Sequence, residues 1–256
     1  MQHVSQQAYM PQVSIDCVIF GYKARQLKVL IPKLDLAGDF WTLPSGFVYQ
    51  YEDIDAAAIR ILGDRTGIID IYLEQFRVFG KASRDNGRFI DQLIELNQEK
   101  LEKKQRNPAD YEWITKRFIS IGYYALVDIN KVIPQKTSLD ATIDWYDIHE
   151  LPAMILDHND IVQEALSTLR RDLDQKLIAY NLLPETFTMK ELQQLYEAIY
   201  DQPFAANNFP RKILEQNVLE RLEKKFTGAA NKAPYLYRLR QQPVPNSPVM
   251  DCNVCP

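Results

Sequence analysis

Between Gln202 and Arg240 the chain carries eight basic residues (Arg211, Lys212, Arg221, Lys224, Lys225, Lys232, Arg238 and Arg240) against three acids, in a protein whose overall net charge is −4. A local basic cluster is what a polyanion such as a phosphate backbone requires. An ordinary solvated helix face has the same composition, so charge alone leaves both readings open. Arg211 and Lys212 follow Asn207 and Asn208, and positions 208, 211 and 212 share one face at helical spacing. Carboxamides pair with adenine edges, and cations contact phosphates. Pro210 is tolerated only in a first helical turn, so this helix should begin at Asn207 or Asn208. Lys190 upstream, and Lys232 and Arg238 downstream, are placed to straddle the flanking backbone.

A second set of polar and aromatic residues lies in the first half. Asp16 interrupts an apolar run, as either a ligand contact or a core acid paired with an arginine. Arg84 and Asp85 follow a strand-like segment, and Trp41 and Phe47 could stack on a sugar or base or simply fill the core. These five are the candidate ligand-binding residues. Tyr123 and Tyr124 are adjacent in a strand and must face opposite ways. His149 and His158 are not spaced as a metal pair and read as capping or turn residues. Cys17 reads as a buried thiol; Cys252 and Cys255 form a C-x-x-C with no second pair or nearby histidine to complete a zinc site. No metal and no cofactor is expected.

The longest pattern runs from Gly46 to Ile68, GFVYQYEDIDAAAIRILGDRTGI. It resembles the Nudix box, G-x5-E-x7-R-E-U-x-E-E-x-G-U with U apolar. Gly46, Glu52, Arg60, Leu62, Gly67 and Ile68 fall in register without a gap. In that family the glutamates of R-E-U-x-E-E hold divalent metals that bridge a diphosphate and activate water, and hard cations need several oxygen ligands. Here those positions are Ile61, Asp64 and Arg65. One shortened carboxylate beside a guanidinium should hold magnesium poorly, so the resemblance implies the scaffold without a catalytic site. Glu52 and Arg60 are expected to brace the loop–helix turn.

Certain elements must position these residues. Strands are expected at Val13–Phe20 and Leu27–Pro32, a helix from Glu52 to Thr66 stopped by Gly67, a strand pair within Ile69–Lys81, a strand over Arg117–Asp128 and a long amphipathic helix from Asp157 to Tyr180. Gly87–Lys116 looks like a charged helical insertion closed by Pro108. After Pro184, Thr188 and Glu191 form a capping box for one helix; FAANNFPRKILEQNVLERLE suggests two more, and TGAANKAPYLYRLR a hairpin. Three helices and a hairpin outline a winged helix. The fold class is therefore α/β (α+β), a Nudix-like α/β/α sandwich followed by a winged-helix domain. The expected divisions are a flexible N-terminus (1–12), a sensor domain (13–157, with the insertion at about 87–116), a linker helix (158–183), the winged helix (184–241) and a flexible tail (242–256). With 46% hydrophobic residues, no apolar run of membrane-spanning length and no signal-peptide pattern, a soluble cytoplasmic protein with no membrane partner is expected.

The segments IDCVIFG, EDIDAAA, IGYYALV, ELPAMILDH and NLLPETFTMKELQQLYEAIY resemble the Nudix-related transcriptional regulators. That group includes repressors of NAD metabolism and sugar-responsive regulators. The resemblance implies a Nudix-like sensor, a C-terminal winged helix bound to operator DNA, and a homodimer. One departure is FAANNFPRKI, where Ala206, Asn207 and Pro210 replace residues that are commonly basic. The expectation is a ligand-responsive transcription regulator that is not an enzyme, with a small sugar or sugar derivative as effector. The alternatives are a divergent hydrolase of a nucleoside diphosphate derivative, using Glu95 or Glu99, and a protein–protein adaptor.

Overall fold

A computed structural model describes residues 8–68, 71–84, 86–98, 108–176, 178–205, 207–225 and 233–240. The first strand, β1 (Tyr9–Lys23), turns through Ala24 and Arg25 into β2 (Gln26–Leu34). Both turn residues have positive φ, 52° and 64°, as a two-residue hairpin turn of the primed type demands. β3 (Ser45–Tyr49) leads into α1 (Ile54–Thr66), which ends where Gly67 adopts φ 70° and its N–H reaches the Gly63 carbonyl. β4 (Tyr72–Phe79), the helices α2 (Asn86–Leu96) and α3 (Pro108–Thr115), β5 (Ile119–Val127) and β6 (Asp140–Asp147) follow.

These strands form one sheet in the order β4-β5-β1-β2-β6, with β3 also paired to β1. β1 and β5 run parallel, with Asp16 opposite Gly122. Alternation along β1 serves two cores. Ile15, Cys17 and Ile19 face Ala57, Ala58, Ile61 and Leu62 of α1. Val18 and Phe20 face the opposite layer, built by α4 (His158–Lys176) through Ile161, Val162, Ala165 and Leu169. Tyr123 and Tyr124 divide between the same two faces. The result is the expected Nudix-like α/β/α sandwich.

A 3-10 turn (Ile178–Leu182) joins α4 to the second unit: β7 (Phe187–Thr188), α5 (Met189–Tyr200), α6 (Asn208–Glu215), β8 (Leu219–Lys224) and β9 (Tyr235–Leu239). Its three strands pair in the order β7-β9-β8. The capping box is present: the Thr188 hydroxyl accepts from the Glu191 N–H at 3.2 Å, and the Thr188 N–H donates to the Glu191 carboxylate at 2.6 Å. The apolar core does not stop at the linker. It runs from α4 through Leu182, Phe187, Leu192, Leu195 and Ile199 to Phe209, Ile213 and Leu219.

Five expectations need correction. Residues 72–79 form a single strand rather than part of a strand pair, because nothing within them supplies the conformational freedom of a turn. Pro108 does not close the insertion helix; it opens α3, where its missing N–H costs nothing. VLERLE is not a helix but β8. Asn217 at φ 56° turns the chain out of α6, and pairing with β9 then favours the extended form. Residues 9–12 are not a frayed end, since β1 begins at Tyr9 and that ring stacks on Tyr49 at 4.8 Å. The long amphipathic helix ends at Lys176.

Candidate functional site

The box loop is braced as its pattern implies. The Arg60 guanidinium donates to both Glu52 oxygens at 2.8 Å and to the Phe47 carbonyl at 2.9 Å. The Tyr49 N–H donates to Glu52 at 3.2 Å, and the Tyr49 ring lies 4.6 Å from the guanidinium. Hydrogen bonding from Arg60 holds the Glu52 carboxyl below the ordinary range. Gly46 admits the box helix closely: a β-carbon there would lie 2.8 Å from Ile61 Cδ1.

The residues present do not fit a metal. Ile61 is buried in the core against Gly46, and Asp64 is exposed. Arg65 is buried and ion-paired with the buried Asp140, which also accepts from the Thr137 N–H at 2.6 Å and hydroxyl at 2.7 Å. A fixed guanidinium thus stands where the family places a metal-binding glutamate. Among the described residues no three carboxylate, histidine or cysteine side chains cluster as a metal site. Glu95 is exposed on α2.

Asp16 and Arg84 are brought together in the interior. Arg84 Nη2 lies 3.3 Å from Asp16, and the two side chains are 5% and 3% exposed. Arg84 Nε donates to both oxygens of Asp157 at 2.9 and 3.1 Å, and Nη1 donates to the Phe118 carbonyl at 3.4 Å. The Ser120 hydroxyl also donates to Asp16. His158, read as a capping or turn residue, closes the turn from Ile155 that opens α4, and its side chain is buried. Its Nδ1 accepts from the Leu43 N–H at 2.9 Å, while Nε2 faces Asp16 at 3.7 Å. Burial lowers its pKa. Sequence reasoning missed Asp157 and His158, whose partners are remote in the chain and have no local signature.

Trp41 is half-buried: its indole N–H lies 3.3 Å from the Tyr146 hydroxyl, and Lys33 sits 4.6 Å over its ring. Phe47 packs edge-on to Trp113 of the insertion at 4.8 Å and near Phe118 at 5.5 Å. The insertion also grips the loop before Trp41. Asn97 exchanges two hydrogen bonds with the Ala37 backbone, at 2.6 and 3.0 Å, and Phe89 meets Phe40 at 5.7 Å. Asp85 and Glu99 lie outside the described residues.

In the second unit α6 begins at Asn208, and Pro210 sits in its first turn. Phe209 and Ile213 are buried, leaving Asn208, Arg211 and Lys212 on the outward face. Asn207 precedes the helix and is exposed, as is Lys190 near the start of α5. Arg211 lies 3.6 Å from Glu215, and Arg238 lies 2.8 Å from Glu220; both are exposed pairs, cheap to exchange for another anion. Two cations of the basic cluster that were not assigned a DNA contact gather on the hairpin: Arg221 and Lys224 lie 4.6 and 5.4 Å from the Tyr235 ring. Lys232, Cys252 and Cys255 lie outside the described residues.

Residues 179–239 match the family described as the NrtR DNA-binding winged helix domain. The chain is 27% identical over 239 residues to the "ADPR responsive transcriptional repressor NtrR" of Acinetobacter baylyi, covering 91% of this chain and 83% of that protein. Shewanella oneidensis NrtR, solved with a 27mer DNA, superposes with a TM-score of 0.68 at 23% identity over 90% of this chain and 94% of the other. A MutT/nudix family protein from Enterococcus faecalis superposes with a TM-score of 0.64 at 17% identity, over 90% and 87% of the two chains. These likenesses bear out the resemblance to Nudix-related transcriptional regulators across both units. No helix among the described residues is long and apolar enough to cross a membrane.

Proposed function

From a Nudix-like fold joined to an NrtR-type winged helix, we propose that this protein is an effector-controlled repressor that binds operator DNA and does not hydrolyse its effector. The observation that carries this reading is the buried Arg65–Asp140 pair in place of a metal-binding carboxylate, in a chain that keeps the rest of the box. The effector is ADP-ribose, rather than the small sugar expected from the sequence. The Acinetobacter baylyi relative is described as ADPR responsive, and that relative spans nearly the whole chain. A strand carboxylate such as Asp16 would suit sugar hydroxyls better than phosphates, but it is already engaged by Arg84 and Ser120, which removes that support for a sugar. Arg84, Asp85, Trp41 and Phe47 remain the proposed contacts. Asn207, Asn208, Arg211 and Lys212 face the major groove, while Lys190, Lys232 and Arg238 meet phosphates, in a homodimer whose two winged helices read two half-sites.

The test is duplex binding to a palindromic promoter fragment at two salt concentrations, with and without ADP-ribose. The expected result is tight, salt-sensitive binding to the promoter that ADP-ribose alters and pentoses or hexoses do not. Magnesium-dependent turnover of ADP-ribose above about 1 s⁻¹ would place the protein among ordinary enzymes instead. Failure to bind any duplex would favour an adaptor role.

A further inference from the structure

The start of the linker helix α4 is tied to the loops that carry candidate effector contacts. Arg84, at the turn between β4 and α2, grips Asp157 through both carboxylate oxygens. The Leu43 N–H donates to His158 at 2.9 Å, and the Ile155 N–H donates to the Trp41 carbonyl at 2.9 Å. Two of these tethers come from Trp41 and Arg84, both candidate effector contacts. At the far end the same helix is bound reciprocally to α5 of the winged helix. Arg170 Nε donates to the Ile199 carbonyl at 2.6 Å, and the Tyr200 hydroxyl donates to the Arg170 carbonyl at 2.8 Å.

We propose that Arg84, acting through Asp157, is the positioning residue that sets the seat of α4, and that α4 carries changes at the sensor to the winged helix as a rigid rod. This rests on the effector-controlled reading above. Arg170 lies thirteen positions beyond Asp157, about 20 Å along the helix. Between them the helix offers the sheet a close-packed apolar face of Ile161, Val162, Ala165, Leu166 and Leu169. Such a surface transmits displacement rather than absorbing it. The lateral ties are solvent-exposed: Arg77 to Glu164 at 2.5 Å, and Lys176 to Glu74. Exposed pairs of this kind exchange partners cheaply. The Arg84 cluster is different. A buried guanidinium between Asp16 and Asp157 tolerates few intermediate positions, because leaving either carboxylate unpaired is costly. That gives the seat the discrete character a switch requires.

The experiment uses the full chain with Asp157→Asn, Asp157→Glu and Tyr200→Phe. Amide hydrogen exchange is followed in the free protein, and DNA affinity is measured with and without ADP-ribose. Asp157→Asn should raise exchange in α5 as well as in the first turn of α4, with Asp157→Glu restoring much of the protection. Tyr200→Phe cuts the far tether by one hydroxyl and should leave the first turn of α4 as in wild type. In both Asp157→Asn and Tyr200→Phe the ratio of DNA affinities with and without ADP-ribose should shrink by about threefold or more, within the range of ordinary coupling. Exchange changes confined to the first turn of α4, with α5 unchanged, would overturn the proposal. So would an undiminished ADP-ribose effect in both variants. If wild-type DNA binding ignores ADP-ribose, the effector reading fails, and the spread or confinement of the exchange change still decides the role of Arg84 and Asp157.

Discussion

Replacing Arg65 with methionine isolates the ion pair that occupies the box helix. Methionine keeps the length and most of the apolar stem, so the guanidinium is the main loss. The Arg65 and Asp140 side chains are 9% and 0% exposed, so solvent screening offers little relief. Removing one partner of a buried pair typically costs about 3–5 kcal/mol, because the other charge is left uncompensated. Asp140 would keep the Thr137 N–H and hydroxyl at 2.6 and 2.7 Å, which places the cost at the low end. About 3 kcal/mol corresponds to a fall in Tm of roughly 6–12 °C for a protein of this size. Thermal denaturation of wild type, Arg65→Met, Asp140→Asn and the double variant measures it. The double variant should lose clearly less than the two single losses combined, since the stranded charge is gone. A loss below about 1 kcal/mol in Arg65→Met, or strict additivity in the cycle, would refute the idea that Arg65 serves as the resident cation of this helix.

Four further outcomes are expected. His158 is held below its usual pKa by burial, and its Nδ1 accepts the Leu43 N–H, which only an Nδ1-unprotonated ring can do. The unfolded chain takes up this proton near pH ~6.5 and the folded protein only at lower pH. Stability present above that value should therefore be lost as pH falls through it, and His158→Gln should flatten the Tm profile between pH 7 and 5. Gly46→Ala places a β-carbon 2.8 Å from Ile61 Cδ1 and Cγ1. It should cost about 1–3 kcal/mol by chemical denaturation, with Ile61→Val in the same chain recovering part of it; no recovery would mean that the strain lies elsewhere. Arg211→Ala should weaken binding to all duplexes and reduce the salt slope by about one unit. Asn208→Ala should instead relax sequence preference at about 1–3 kcal/mol, measured by competition between promoter and random DNA.

The sandwich and the winged helix were legible because their signals are local and periodic. The box fixed a loop, a helix and a glycine stop within 23 residues, and Thr188 with Glu191 announced α5. VLERLE misled because its apolar residues suit either period, and only pairing with β9 decides between them. Asp16 was recognised as anomalous and an arginine partner was one of its two readings, but which residues would surround it was not legible. Arg84, Ser120 and His158 are 68, 104 and 142 positions away in sequence. The wing cations Arg221 and Lys224 gain meaning only when Tyr235 is brought opposite them.

The apolar core that runs unbroken from the sheet through α4 into the winged helix bears on how the protein can be taken apart. Tyr180, before Pro184, stacks on Phe187 after it at 5.7 Å, and Leu182 and Leu183 are buried in the same mass. A fragment cut at Pro184 would carry Phe187, Leu192, Leu195 and Ile199 into water with their covering removed. Such a piece should be sticky and poorly folded, however complete its helices look. A usable DNA-binding fragment has to begin no later than Ile178, so that Tyr180, Leu182 and Leu183 stay with it, and the intact chain should melt in one step rather than two.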